Sequence, residues 1–156
     1  MAEFQTTFDL SSAEETSALA VRIGALLKPG DVLLLEGEIG AGKTHFARSL
    51  IQSLLETPED IPSPTFTLVQ TYDGPNCEIW HADLYRLTSP DEVIELGLTD
   101  AFEDSICLVE WPDRLAELAP KSALTLAFAV CPDHGRRSLV MSSDHPRWAP
   151  VFEMIP

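Results

Sequence analysis

One stretch of this sequence, residues 32 to 55, constrains the fold more than any other. Val32 to Leu35 is apolar on both faces, which is typical of a central strand in a parallel sheet. A glycine-rich turn follows, with the pattern Gly-x4-Gly-Lys-Thr from Gly37 to Thr44. From Lys43 to Leu55 the apolar residues recur at helical spacing. A strand, a turn of this kind and a helix in this order indicate a loop that binds the phosphates of a nucleotide.

The residue types of this turn suit that chemistry. Glycines let main-chain N–H groups face an anion without a Cβ clash. Lys43 would neutralise the β- and γ-phosphates of ATP, and the Thr44 hydroxyl would bind Mg²⁺. A ligand-free turn is the alternative, and the flanking strand and helix argue against it. The expected nucleotide contacts of the loop are Glu38, Ile39, Gly40, Ala41, Gly42, Lys43 and Thr44.

Two acidic residues are candidates to complete a metal site, because Mg²⁺ prefers oxygen ligands. Glu110 follows the apolar strand Ile106 to Val109, and Asp83 lies at the end of the strand Glu78 to Leu84. Strand ends of this kind lie beside a phosphate-binding loop in parallel sheets. A solvated acid is the alternative for each. His81 is on the same face as Asp83, and a lone histidine there is more often a core residue or a support than a ligand.

Helical and strand-like segments alternate along the rest of the chain. Ser12 and Glu15 form a capping box that opens a helix, and Pro29-Gly30 stops it. Ser89 to Glu92 opens a second helix, which Gly97 ends. Alternation of this kind predicts an α/β fold with a mostly parallel sheet flanked by helices.

Turn signals add some antiparallel strands to this sheet. Hairpin turns are predicted at Asp73-Gly74 and at Asp133 to Gly135. We expect one P-loop NTPase domain over residues 1–156, and the tail from residue 143 has no clear pattern. The remaining strands are predicted at Phe66 to Tyr72, Leu124 to Val130 and Ser138 to Met141.

The composition limits the partners and the compartment. Asp and Glu number 25 against 10 Lys and Arg, a net charge of −15 that repels a nucleic-acid backbone. DNA is therefore not an expected partner, although acidity also simply favours solubility. Three scattered cysteines argue against disulfides and zinc. With no membrane-length apolar run and no secretory signal, the sequence predicts a cytoplasmic protein.

Several segments together resemble the TsaE (YjeE) family of bacterial P-loop ATPases. The likeness covers nearly the whole chain and weakens before Leu10 and after Arg114. The segments that carry it are Leu35 to Thr44, Ser63 to Val69, His81 to Leu87, Glu95 to Leu98 and Ile106 to Pro112.

This resemblance implies a function. Members of the family serve the synthesis of threonylcarbamoyladenosine beside the tRNA anticodon, bind the paired proteins TsaD and TsaB, and use ATP for turnover of that complex. The transfer itself is credited to TsaD, so tRNA is reached only indirectly. The resemblance also implies that Thr44 and Glu110 hold Mg²⁺, that Asp83 lies at the γ-phosphate or the metal, and that Thr65 acts from a mobile loop.

Three further residues follow from the same likeness. Trp111 would form a wall of the nucleotide site, with plain core packing as the alternative. Arg136 loosely fits a nucleotide contact of the family. Arg86 would contact a partner or a phosphate, and a surface ion pair is the alternative.

The expected activity is slow ATP hydrolysis that partner proteins accelerate. Neither a water-orienting glutamine nor an arginine finger is identifiable from the sequence, and these groups supply much of the rate in related enzymes. A small-molecule kinase and a nucleotide sensor without catalysis are the alternatives. The arginines are dispersed, which disfavours the kinase. An Asn-Lys-x-Asp segment for reading guanine is lacking.

Overall fold

The computed structural model describes residues 3–38, 41–57, 59–62, 64, 67–131 and 136–155. Its strands are β1 (Phe4–Leu10), β2 (Val32–Glu36), β3 (Val69–Asp73), β4 (Glu78–Asp83), β5 (Ile106–Glu110), β6 (Leu124–Val130) and β7 (Arg137–Ser143). Its α-helices are α1 (Ala13–Gly24), α2 (Lys43–Leu54), α3 (Asp91–Glu95), α4 (Leu98–Asp104) and α5 (Ala149–Met154). Short 3₁₀ segments cover Pro112–Leu118 and Pro146–Trp148.

Seven strands form one sheet in the order β1-β7-β6-β2-β5-β4-β3. The four strands in the middle, β6, β2, β5 and β4, are parallel to one another. The outer pairings β1–β7, β7–β6 and β3–β4 are antiparallel. The predicted α/β fold, with a parallel centre and some antiparallel strands, is therefore confirmed.

The sheet separates two hydrophobic cores. Because successive side chains of a strand face opposite sides, Leu33 and Leu35 of β2 enter one core while Val32 and Leu34 enter the other. Helices α1, α2 and α5 cover the first face, and α3 and α4 cover the second. Burial on both faces explains why β2 reads as a continuous apolar run.

The predicted cap of α1 is confirmed, with one change. Ser12 Oγ accepts a hydrogen bond from the main-chain N–H of Glu15 at 3.2 Å. The Glu15 carboxylate, however, accepts from the N–H of Ser11 at 3.1 Å instead of from Ser12. The helix also ends at Gly24, before the predicted stop at Pro29-Gly30.

Some elements differ from the sequence prediction. The strand predicted from Phe66 begins at Val69, because Leu68 has a left-handed backbone (φ 68°) that an extended strand does not allow. Phe66 itself and the turn Asp133 to Gly135 lie outside the described residues. Strand β1, helix α4 and helix α5 were not predicted.

The C-terminal segment packs firmly despite its uninformative sequence. Trp148 is fully buried, and its indole N–H donates to the Ser122 carbonyl oxygen at 2.7 Å. The Arg147 guanidinium lies 2.7 Å from a carboxylate oxygen of Asp31. Residues 146–154 therefore belong to the folded body.

Candidate functional site

The predicted phosphate loop connects β2 to α2. Gly42 immediately precedes α2 and has a left-handed backbone (φ 105°). Gly37 follows β2, and a Cβ there would lie 2.5 Å from the Phe128 carbonyl oxygen, so this position requires glycine. The first N–H groups of α2 point toward the loop and favour an anion.

Lys43, the first residue of α2, is folded back on this loop. Its ammonium donates to the Gly37 carbonyl oxygen at 2.6 Å and lies 3.8 Å from the centre of the Trp111 ring. Burial lowers the pKa of Lys43, and the nearby carboxylates of Glu110, Asp83 and Asp113 partly offset that effect. The cation is thus held by a carbonyl and an aromatic face, both weaker partners than a phosphate.

Two oxygen-bearing side chains meet beside the start of α2. The Thr44 hydroxyl donates to Glu110 Oε1 at 2.9 Å. Glu110 ends β5 and lies directly opposite Asp83, the last residue of β4, in the parallel register. Asp83 Oδ1 accepts from the N–H of Tyr85 at 3.0 Å. Parallel strands thus bring two acids from distant parts of the sequence to the same edge of the sheet.

These groups face one cavity of about 620 Å³. That volume is within the usual range for small-molecule sites, about 300–1,000 Å³. The predicted site residues that line it are Gly42, Lys43, Thr44, Asp83, Arg86, Glu110 and Trp111.

Other predicted residues lie elsewhere. Ala41 is fully buried in the core, where its side chain does not reach the cavity, although its N–H belongs to the loop. Glu38 is exposed and lines a neighbouring pocket of about 380 Å³ that also includes Trp111. Arg136 is exposed and is not among the lining residues, whereas its neighbour Arg137 is. Ile39, Gly40 and Thr65 lie outside the described residues.

The donor set fits a hard cation such as Mg²⁺. Thr44, Glu110 and Asp83 offer a hydroxyl and carboxylates, the ligands that Mg²⁺ takes from proteins. No group of three or more His, Cys, Asp and Glu side chains able to hold a metal occurs in the described part of the chain. The arrangement therefore suits a cation that is shared between one or two side chains and a phosphate.

Comparison with known proteins identifies the family. The family model described as "Threonylcarbamoyl adenosine biosynthesis protein TsaE" matches residues 10–138. This chain belongs to the TsaE family. The resemblance carried by the sequence motifs is confirmed, and the chain has a role in tRNA threonylcarbamoyladenosine biosynthesis.

Individual relatives agree with the family match. A Rickettsia bellii protein named tRNA threonylcarbamoyladenosine biosynthesis protein TsaE is 41% identical over 127 residues, which cover 81% of this chain and 88% of that one. A Bacillus subtilis protein of the same name is 40% identical over 124 residues, covering 79% and 77%. The crystal structure of Bacillus subtilis YdiB matches with a TM-score of 0.81 and 32% identity, over 98% of this chain and 94% of that one. In the described part of the chain, no helix is long and apolar enough to span a bilayer.

Trp111 adopts an uncommon backbone in this member of the TsaE family. Its φ of 60° and ψ of 54° are left-handed, a conformation rarely adopted by bulky residues. Its ring lies against the Lys43 ammonium and 4.9 Å from the centre of the Tyr85 ring. Trp111 therefore borders the cavity and also packs against the second core, and these contacts maintain its left-handed backbone.

Sequence reasoning missed some residues of the cavity. Ser12 and Thr16, at the start of α1, line it together with Arg137 from β7. These residues lie far apart along the chain from the glycine-rich loop, and only the sheet order brings β7 and α1 to this edge. The capping box marked Ser12 as structurally important, but its pattern carries no sign of a ligand.

His81 is the other group that the sequence left unassigned. It is fully buried, and its Nε2 lies 2.7 Å from Glu110 Oε2. The even spacing between His81 and Asp83 indicated that they share a face. The contact with Glu110 depends on the pairing of β4 with β5, which the sequence does not reveal.

Proposed function

We propose that this TsaE-family chain is a Mg²⁺-dependent ATP-binding protein with slow ATPase activity. In this proposal it acts on a TsaD–TsaB complex in the cytoplasm and so supports threonylcarbamoyl transfer to the adenosine next to the tRNA anticodon. The single observation that carries it is the hydrogen bond from Thr44 to Glu110 at the start of α2, beside the Lys43 ammonium. A hydroxyl, a carboxylate and a cation in this arrangement are what a magnesium–phosphate group requires.

Lys43 would exchange its present partners for phosphate oxygens. The carbonyl of Gly37 is neutral and the Trp111 face is only a weak acceptor, whereas phosphate oxygens carry negative charge that attracts the ammonium. ATP would therefore draw the ammonium away from the loop. Main-chain N–H groups of the loop and of the start of α2 would bind the same phosphates, and the Ala41 N–H would first have to leave the Glu38 carbonyl oxygen, to which it donates at 3.1 Å.

Thr44 and Glu110 are the proposed ligands of Mg²⁺, and Asp83 would lie at the metal or the γ-phosphate. Bound Mg²⁺ supplies charge neutralisation on the phosphate oxygens. Thr44 and Glu110 already contact each other at 2.9 Å, so little rearrangement is needed for both oxygens to face one cation. Arg86 and Arg137 line the same cavity and could add positive charge near the nucleotide.

Slow turnover by the isolated chain is part of the proposal. Lys43 is engaged with its own loop, so it must exchange partners before it acts on ATP. The sequence also offers no clear water-orienting glutamine. Thr65, in the segment that resembles the family's switch, would complete the site when the γ-phosphate is present.

The direct test is phosphate release by the purified chain, alone and with TsaD and TsaB. We expect well under about one turnover per second alone, below the usual range for efficient phosphoryl transfer, and a several-fold increase with both partners. Lys43→Ala should abolish the activity, and Lys121→Ala, at an exposed lysine, should leave it unchanged. Rapid hydrolysis alone, or the absence of any response to the partners, would contradict the proposal.

A further inference from the structure

His81 is a buried polar residue in the middle of an apolar environment. It lies on β4 with its side chain on the same face as Ile79, which is part of the first core. Its exposed fraction is zero, and it is not among the residues that line the cavity. A histidine in this position cannot contact a nucleotide in the cavity directly.

The imidazole of His81 contacts the carboxylate of Glu110. In the register of β4 and β5, His81 lies opposite Leu108, and Asp83 lies opposite Glu110. The ring therefore extends diagonally to Glu110, where Nε2 is 2.7 Å from Oε2. Glu110 is only 2% exposed, so this bond is shielded from water and is stronger than a surface contact would be.

The two oxygens of Glu110 differ in their contacts, since Thr44 lies nearer to Oε1 and His81 contacts Oε2. Oε1 accepts the Thr44 hydroxyl at 2.9 Å, and that hydroxyl is 3.2 Å from Oε2. His81 holds Oε2 at 2.7 Å. Because the His81 ring holds Oε2, the carboxylate of Glu110 cannot rotate freely. Its Oε1 therefore stays directed at the Thr44 hydroxyl.

The surroundings of the other ring nitrogen, Nδ1, indicate which of the two nitrogens of His81 carries the proton. Nδ1 is buried and has no hydrogen-bond partner among the described residues. A proton on Nδ1 would be a buried donor without an acceptor, which is unfavourable. The geometry thus favours the tautomer with the proton on Nε2, where Glu110 accepts it. An aliphatic residue would pack here without leaving a polar atom unpaired, so packing alone does not account for a histidine.

We propose that His81 is a positioning residue for the magnesium site. It donates Nε2–H to Glu110 and keeps Oε1 of that carboxylate turned toward Thr44, so that both metal ligands are preorganised before ATP binds. The inference rests on the proposed function, because it assigns a purpose to a residue that supports Glu110. Groups that orient a metal ligand typically contribute about 10–100-fold to metal affinity.

If His81 positions Glu110, its loss should weaken the binding of ATP only when Mg²⁺ is present. Lys43 and the main-chain N–H groups bind phosphates without help from Glu110. Loss of His81 should therefore leave the affinity for ATP in EDTA unchanged. The gain in ATP affinity on adding Mg²⁺ should fall by about ten-fold or more. A residue that only stabilised the fold would change both affinities together or neither.

The experiment compares three variants by calorimetric titration of ATP, with Mg²⁺ and with EDTA. His81→Leu removes the donor and should lose most of the Mg²⁺-dependent gain. His81→Gln keeps an N–H donor and should recover part of it. Ile79→Val is the matched control, since it removes one buried methyl group from the same face of β4 and should keep the full gain. A folded His81→Leu protein with the full gain would overturn the proposal.

A second measurement needs no variant and no metal. Nitrogen NMR of the imidazole in the ligand-free protein should show the proton on Nε2. An Nε2 without a proton would overturn the proposal even if His81→Leu failed to fold. Failure of the proposed function itself is distinguishable, because the unmodified protein would then show no Mg²⁺-dependent gain in ATP affinity at all.

Discussion

Lys43, Thr44 and Glu110 illustrate how single residues prepare this site for a phosphate. Each already has a partner: Lys43 contacts Gly37, Thr44 contacts Glu110, and Glu110 also contacts His81. None of the three is left as an unpaired buried polar group, which would be costly. In the proposal, phosphate replaces Gly37 as the partner of Lys43, and Mg²⁺ joins Thr44 and Glu110, while His81 keeps its contact with Glu110. The site is therefore stable without ATP and still able to bind it.

Glu110→Gln tests the metal-binding role at this scale. The amide keeps the size of the side chain and can still accept a hydrogen bond, but it lacks the negative charge that Mg²⁺ favours. We expect the Mg²⁺-dependent gain in ATP affinity to fall by about ten-fold or more, with little loss of affinity in EDTA. Glu117→Gln, at an exposed carboxylate, is the control and should bind like the unmodified protein.

Cys107 gives a prediction about alkaline pH. Burial raises the pKa of this thiol from its ordinary value of 9.0 to about 12. Above pH 9 the unfolded chain therefore loses this proton while the folded chain keeps it, and the free energy of unfolding falls as pH rises toward 12. Urea unfolding at neutral and alkaline pH should show a smaller decrease for Cys107→Ala. An equal decrease in both proteins would contradict the assignment.

At the scale of elements, the sequence predicted best where one pattern is strong and local. Strand β2, the glycine-rich turn and helix α2 follow from an apolar run, glycines and helical spacing. Strand β1 was missed although Phe4, Thr6 and Phe8 alternate with more exposed residues, as an edge strand does. Helix α4 was missed because Gly97, expected only to end α3, also begins the next helix.

The candidate site divides in the same way. The loop contacts and the strand-end acids are local features, so Lys43, Thr44, Asp83 and Glu110 were predictable as candidates. The hydrogen bond between His81 and Glu110 can be foreseen only if the pairing of β4 with β5 is known, because the contact runs diagonally between the two strands. The positions of Ser12 and Arg137 at the cavity can be foreseen only if the order of the strands in the sheet is known. Information of that kind comes from packing between distant segments and is not visible in one sequence.

The cap of α1 can be tested by Ser12→Ala. This change removes the acceptor of the Glu15 N–H at the helix start, and such losses cost about 1 kcal/mol. Ser12→Asn retains a side-chain acceptor and should stay close to the unmodified protein. Urea unfolding of both variants gives the comparison, and equal stability of Ser12→Ala and the unmodified protein would contradict the capping role.

At the scale of the whole molecule, the C-terminal segment joins parts of the fold that are distant in sequence. Trp148 packs in the first core and donates to Ser122 before β6, while Arg147 pairs with Asp31 before β2. Arg147 also donates to the Leu26 carbonyl oxygen at 2.9 Å, just after α1. The C-terminal segment thus stabilises the start of β2, the strand that precedes the phosphate loop.

Trp148→Ala should destabilise the protein strongly. Truncation of a fully buried aromatic side chain typically costs about 3–5 kcal/mol. Trp148→Phe keeps most of the apolar contact but leaves the Ser122 carbonyl without its donor, and we expect a smaller loss. The free energies of unfolding in urea should follow the order unmodified, then Phe, then Ala, and an alanine variant as stable as the unmodified chain would show that the tail is not part of the core.

The proposed function of this chain depends above all on whether the loop between β2 and α2 binds ATP together with Mg²⁺. Calorimetric titration of ATP and Mg²⁺ into the purified chain, with Lys43→Ala alongside, measures this directly. We predict saturable binding at one site per chain and its loss in the variant, which should remain folded by circular dichroism. An unmodified chain that gives no saturable binding, or a variant that binds ATP equally well, would contradict the account.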